Sequence, residues 1–108
     1  MLRFKSSNPQ GLLDNFKKLI NQKEPEGKID TWEEHDGGFR HTSKNWKDGG
    51  LFRAVISDDG QHLRFNLSTY KDDYSFSYYH GHLLQAFIEH LNKQFEWAQY
   101  IDKRTPKK

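Results

Sequence analysis

Apolar positions along the chain recur with two different periods, and each period predicts a different element. Leu12, Leu13, Phe16, Leu19 and Ile20 repeat at helical spacing, with Lys17, Lys18, Asn21 and Gln22 on the other side. This is the stripe of an amphipathic helix over residues 9–22. Asn8 followed by Pro9 is the favoured order of a cap and a first helical residue, and Pro25 and Gly27 break the helix. Further along the period drops to two. Leu63, Phe65 and Leu67 alternate with His62, Arg64, Asn66 and Ser68, so residues 62–70 predict a strand with one buried and one solvated side. Residues 51–57 are its hairpin partner, with Phe52, Ala54 and Ile56 toward the core and Arg53 and Val55 outward. Between them lies Asp58-Asp59-Gly60-Gln61, where Gly60 supplies the left-handed position of the turn.

The remaining segments are less regular. Residues 28–35 predict a strand, Asp36-Gly37-Gly38 a turn, and residues 39–42 the returning strand. Residues 43–48 predict a loop or a single helical turn that carries Trp46, expected to fold back on the core. After the polar break Lys71-Asp72-Asp73, Tyr74, Phe76 and Tyr78 alternate with Ser75 and Ser77, as in a short extra strand or an extended lead-in. From about Tyr79 a helical stripe runs through Leu83, Leu84, Phe87, Ile88, Leu91 and Phe95, and Ala98 and Ile101 continue it. The expected order is α-β-β-β-β-α. Two apolar stripes and one apolar sheet side close most simply as an α+β two-layer sandwich, an antiparallel sheet with both helices on one face and the other face bare. Residues 1–102 are expected to form one domain and residues 103–108 a frayed basic tail.

Composition bears on function more than on fold. Only 33% of the 108 residues are hydrophobic and 30% are charged, but 15% are aromatic, enough large side chains for a small core. No apolar run approaches the ~20 residues of a membrane-spanning helix, and the first residues lack the apolar segment of a secretory signal. Cysteine is absent, which excludes disulfides, a thiolate nucleophile and Cys-based metal sites, and favours a cytoplasmic location. Four of the 17 basic residues lie in the last six positions, leaving 13 against 15 acidic residues before them. The body of the chain is thus slightly acidic, which speaks against a dedicated duplex-DNA binder.

Six histidines are the candidates for site chemistry. His80-Gly81-His82 can converge on a metal in an extended segment but not on a regular helix, and Asp72 and Asp73 are the nearest acidic partners. The structural reading, in which both rings flank the last helix, is preferred, and no cofactor or metal is expected. His62 with Arg64 and His41 with Arg40 could form an acid–base set if their strands were neighbours. No Gly-rich phosphate loop, nucleophile elbow, HExxH or paired-carboxylate motif accompanies them. Arg40, Arg53, His62, Arg64 and Asn66 are expected on the bare sheet face, which makes them the candidate binding residues. The preferred partner is another protein or a second copy of the chain. Single-stranded nucleic acid, with Trp32 or Tyr70 nearby for stacking, is the first alternative and a His-dependent enzyme the second.

Asp30-Thr31-Trp32, Asp36-Gly37, Phe39-Arg40-His41-Thr42 and Trp46-Lys47, followed by Tyr79-His80-Gly81-His82 ahead of a helix, resemble a pattern in small bacterial proteins of unassigned function. The resemblance covers most of the chain. It implies no activity and transfers no site residue.

Overall fold

The computed structural model describes residues 1–101. Strand β1 is Leu2–Lys5, helix α1 Pro9–Asn21, β2 Trp32–His35, β3 Gly38–His41, β4 Gly50–Ile56, β5 His62–Tyr70, α2 Asp73–Leu91 and β6 Trp97–Tyr100, with a 3-10 turn at Asn92–Gln94 before β6. All six strands join one antiparallel sheet in the order β2-β3-β4-β5-β1-β6. The class is α+β, as expected. No helix among the described residues is long and apolar enough to cross a membrane. The basic tail expected at 103–108 lies outside the described residues.

The element order corrects the expected one at both ends. The chain runs β-α-β-β-β-β-α-β, because β1 and β6 pair with one another and β1 also pairs with β5. Leu2 and Phe4 alternate with Arg3 and Lys5, but two apolar positions are too few for periodicity alone to mark a strand. At the other end, Ala98 and Ile101 mimic a helical stripe, while the helix in fact stops at Leu91. Helix α2 also begins earlier than Tyr79. Asp72 caps it, its Oδ1 accepting the Ser75 N–H at 2.8 Å. The apparent alternation of Tyr74, Phe76 and Tyr78 is therefore helical, with Phe76, Tyr79, His80, Leu83 and Phe87 buried at i, i+3, i+4, i+7 and i+11. The first β-hairpin is shorter than expected. Its two-residue turn, Asp36 at φ 49° and Gly37 at φ 75°, has the left-handed pair that suits the strand twist. Gly60, at φ 68°, closes the β4–β5 turn as expected.

Strand register sets which side chains share a side of the sheet. Leu2, Phe4, Phe39, Phe52, Leu63 and Phe65 share one side and are all buried. Phe65, fully buried, is their centre, meeting Phe4, Phe16, Phe39, Phe52 and Phe87 at centroid distances of 5.5–6.1 Å. Phe16 comes from α1 and Phe87 from α2, and these two rings meet one another at 4.9 Å. Helix α1 is anchored by the Asn8 cap, whose Oδ1 accepts the Gly11 N–H at 2.9 Å. Truncation at the centre of this cluster should be costly. Phe65→Ala is expected to destabilise the fold by about 3–5 kcal/mol, whereas Val55→Ala on the exposed side should cost under about 0.5 kcal/mol. Urea denaturation of both variants checks this.

Candidate functional site

The other side of the sheet is built by the alternate residues of the same strands, and Arg3, Lys5, Arg53, Val55, His62, Arg64, Asn66, Trp97 and Gln99 on it are half-buried or exposed. Reading across the register, Val55 of β4 lies opposite Arg64 of β5, Arg64 opposite Arg3 of β1, and Arg3 opposite Gln99 of β6. One step along the strands, His62, Lys5 and Trp97 form the neighbouring row, and one step the other way Arg53 faces Asn66. Arg40 and Glu33 share this side on β3 and β2. The strand positions of this side thus hold five cations, Arg3, Lys5, Arg40, Arg53 and Arg64, against one carboxylate, Glu33. Glu34 has the opposite parity and accepts from Asn21 Nδ2 of α1 at 2.7 Å.

These cations are not equally engaged. Arg40 Nε donates to Glu33 Oε2 at 2.6 Å, which neutralises that corner. Lys5 lies 3.5 Å from the exposed carboxylate of Glu96. Arg53 Nη1 donates to the Asp36 carbonyl at 3.1 Å, and Arg53 has no ion pair among the described residues. Arg3 is held in place by two hydrogen bonds to Gln99 Oε1, at 2.8 and 3.1 Å, and its guanidinium lies 5.4 Å from the centroid of the Trp97 ring. Arg64 faces Arg3 directly, and its Nε is buried without a partner. Like charges directly opposite on a sheet repel, so this pair is an unfavourable arrangement in the free protein. Trp97, 41% exposed, stands beside it, with the His62 ring 5.5 Å away. A cleft of about 450 Å³ continues the surface past Arg40, lined by Lys47, Lys71, Asp36, Asp48 and Tyr70 among others.

Of the residues expected to bind a partner, Arg53, His62, Arg64 and Asn66 are contiguous on this side, and Arg40 shares it but is ion-paired. Arg3, Lys5, Trp97 and Gln99 were not foreseen, because their strands were not. The alternation of Leu2-Arg3-Phe4-Lys5 was the available signal for the first two. Of the two rings expected near a stacking surface, Trp32 is enclosed in the core, while Tyr70 is 36% exposed. Trp32 is 1% exposed and packs against His41, Phe52 and Tyr79. Tyr70 packs edge-on against Phe76 of α2.

The histidine set for acid–base chemistry is not assembled. β4 separates β3 from β5, and His41 and His62 point to opposite sides of the sheet. His80 and His82 lie on regular helix, where residues two apart diverge, and no group of three or more metal-ligating side chains exists among the described residues. His82 instead stacks on Tyr78 at 4.0 Å, Tyr78 on Trp46 at 3.7 Å, and Trp46 is nearly parallel to Tyr74. This column clamps the 43–49 loop onto α2. Tyr79 fastens it from below, its hydroxyl donating to the Trp46 carbonyl at 2.5 Å and accepting the His41 N–H at 3.2 Å. Trp32, Phe39, His41 and Trp46 are therefore packing residues. Comparison of the chain with family models, with curated proteins and with solved structures finds no match.

His41 gives this cluster a pH dependence. Its Nδ1 accepts the Ser43 N–H at 3.0 Å, which fixes the neutral ring with its proton on Nε2. Burial, and after it the nearby His82, holds the His41 pKa below its ordinary 6.5. The unfolded chain therefore binds the extra proton first, and the stabilisation, full above pH 6.5, is lost as pH falls through that value toward the folded pKa. The urea midpoint should drop between about pH 7.5 and about pH 5.5, and the drop should be smaller in His41→Phe and in His82→Gln. Denaturation curves at the two pH values measure it.

Proposed function

We propose that this chain is a binding protein, that its working surface is the uncovered side of the sheet, and that its partner is polyanionic. One observation carries the reading: charge is segregated. Positions 1–102 have a slight acidic excess, yet the outward strand positions hold five cations and one carboxylate. The other 14 acidic residues lie off these strand positions, against eight further cations before the last six residues, and Glu96 and Asp59 stand only at the Trp97 end. The bulk balance, which speaks against a dedicated duplex-DNA binder, averages over surfaces of unlike charge.

The reading takes both helices to lie on the inward side, which the shared contacts of Phe16 and Phe87 with Phe65 support. Like charge disfavours a second copy of the chain docked face to face on this surface. An acidic protein partner is favoured by a different observation. Val55 and Trp97 are 46% and 41% exposed among the arginines, and arginine and tryptophan are typical anchors of protein interfaces. A histidine-based reaction draws no support from the separated rings.

A polyanion test is direct. Binding of a heparin fragment and of a short oligonucleotide should weaken steeply between about 50 and about 200 mM salt. If the Arg3–Arg64 pair neutralises one phosphate and Arg53 another, the slope of log K against log salt for a single strand should be about −1.4. Arg53→Glu combined with Arg64→Glu should reduce affinity at least about tenfold, while Lys18→Glu on α1 should change it less than about twofold. Failure of every polyanion to bind at low salt overturns the reading.

A further inference from the structure

We infer that the polyanion is a single-stranded nucleic acid, with Trp97 as the platform for a base and the Arg3–Arg64 pair as the seat of a phosphate. This inference rests on the polyanion reading and narrows it. Three features of one corner of the sheet point to it.

The first is the indole. Trp97 is a large apolar ring left 41% exposed on an otherwise charged surface. It does not belong to the core, and by register it lies opposite Lys5. The Arg3 guanidinium over the ring and the tilted His62 ring hold it in place from within the protein. An aromatic plane beside a guanidinium is the arrangement on which an unpaired base stacks, and every base offers the flat face it needs. A carboxylate side chain answers the cations alone, whereas a nucleotide brings a phosphate for the guanidiniums and a flat base for the ring together.

The second is the repulsion between Arg3 and Arg64. Gln99 is neutral, so the two bonds that fix Arg3 do not cancel its charge. Among the described residues Arg64 has no carboxylate partner, and its Nε is an unsatisfied buried donor. A phosphate placed between the two guanidiniums would relieve the repulsion and accept from both forks, which match phosphate oxygens in shape.

The third is spacing. Successive outward positions on a strand are about 6.7 Å apart, so from the Trp97 row through the Arg3–Arg64 row to the Arg53–Asn66 row is about 13 Å. That length suits about two to three unstacked nucleotides. The carboxylates of Glu96, beside Lys5, and Asp59, 3.5 Å from His62 Nδ1, bound the site at the Trp97 end. A bound strand therefore extends from Trp97 toward Arg53.

The test uses the full chain with four probes of equal length or charge: a ten-nucleotide oligothymidine, the same strand without bases, its duplex with oligoadenosine, and poly-glutamate. Binding is followed by the tryptophan indole N–H resonances. Oligothymidine should shift the Trp97 signal and leave that of buried Trp32 in place. Trp97→Ala should bind it about 5- to 150-fold more weakly, with Trp97→Phe close to wild type. The abasic strand should bind wild type and Trp97→Ala alike, and the duplex should bind more weakly than the single strand. An abasic strand that binds as tightly as oligothymidine overturns base stacking and leaves the polyanion reading standing. Poly-glutamate that binds as tightly as oligothymidine makes the partner an acidic polypeptide and overturns the inference. If heparin and all four probes fail to bind, the polyanion reading itself is at fault. An unchanged urea midpoint in Trp97→Ala shows that its effect is on binding rather than folding.

Discussion

The structure depends on burying one alternating set of aromatic side chains around Phe65. A strand has only two sides, so once Phe4, Phe39, Phe52 and Phe65 are committed inward, their neighbours are committed outward. Arg3, Arg53 and Arg64 are on the surface for this reason. Their charge is carried by the strands that make the core, and no residue of the two helices is needed to place it. A one-residue slip of any of these strands would bury arginine and expose phenylalanine together, so the fold that stabilises the core also fixes the geometry of the cationic rows.

Much of this was legible in the chain. The β4–β5 hairpin could be read because Leu63, Phe65 and Leu67 alternate without a break and Gly60 marks the turn. Helix α1 could be read because five apolar residues recur at helical spacing behind an Asn-Pro start. What was not legible had a physical cause in each case. β1 is held by partners about sixty and ninety-five positions away, β5 and β6, and nothing in four residues announces such pairing. β6 was masked by Ala98 and Ile101, which fall at helical spacing from the true helix. The start of α2 was masked because Tyr-Ser-Phe-Ser-Tyr alternates in sequence, while the Asp72 cap and the packing against Phe52 and Trp32 decide the helix in space.

The candidate surface shows the same division. Arg53, His62, Arg64 and Asn66 follow from strand parity alone. Arg40 follows from parity too, but its pairing with Glu33 depends on which strand lies beside β3. Trp97 and Arg3 could not be foreseen as neighbours, and net charge misleads because it sums over surfaces that never meet. Among the histidines, proximity in sequence was the poorer guide. His80 and His82 diverge around the helix, while His41 and His82, far apart in the chain, come within 5.3 Å.

The contact between Arg3 and Gln99 spans 96 positions. The guanidinium is contributed by the first strand and the indole beside it by the last. Strand β6 supplies both Trp97 and Gln99, the ring beside Arg3 and the acceptor of its two hydrogen bonds. The corner exists only where the two ends of the described chain are paired, so a ligand held there would bind the joined strands and neither end alone.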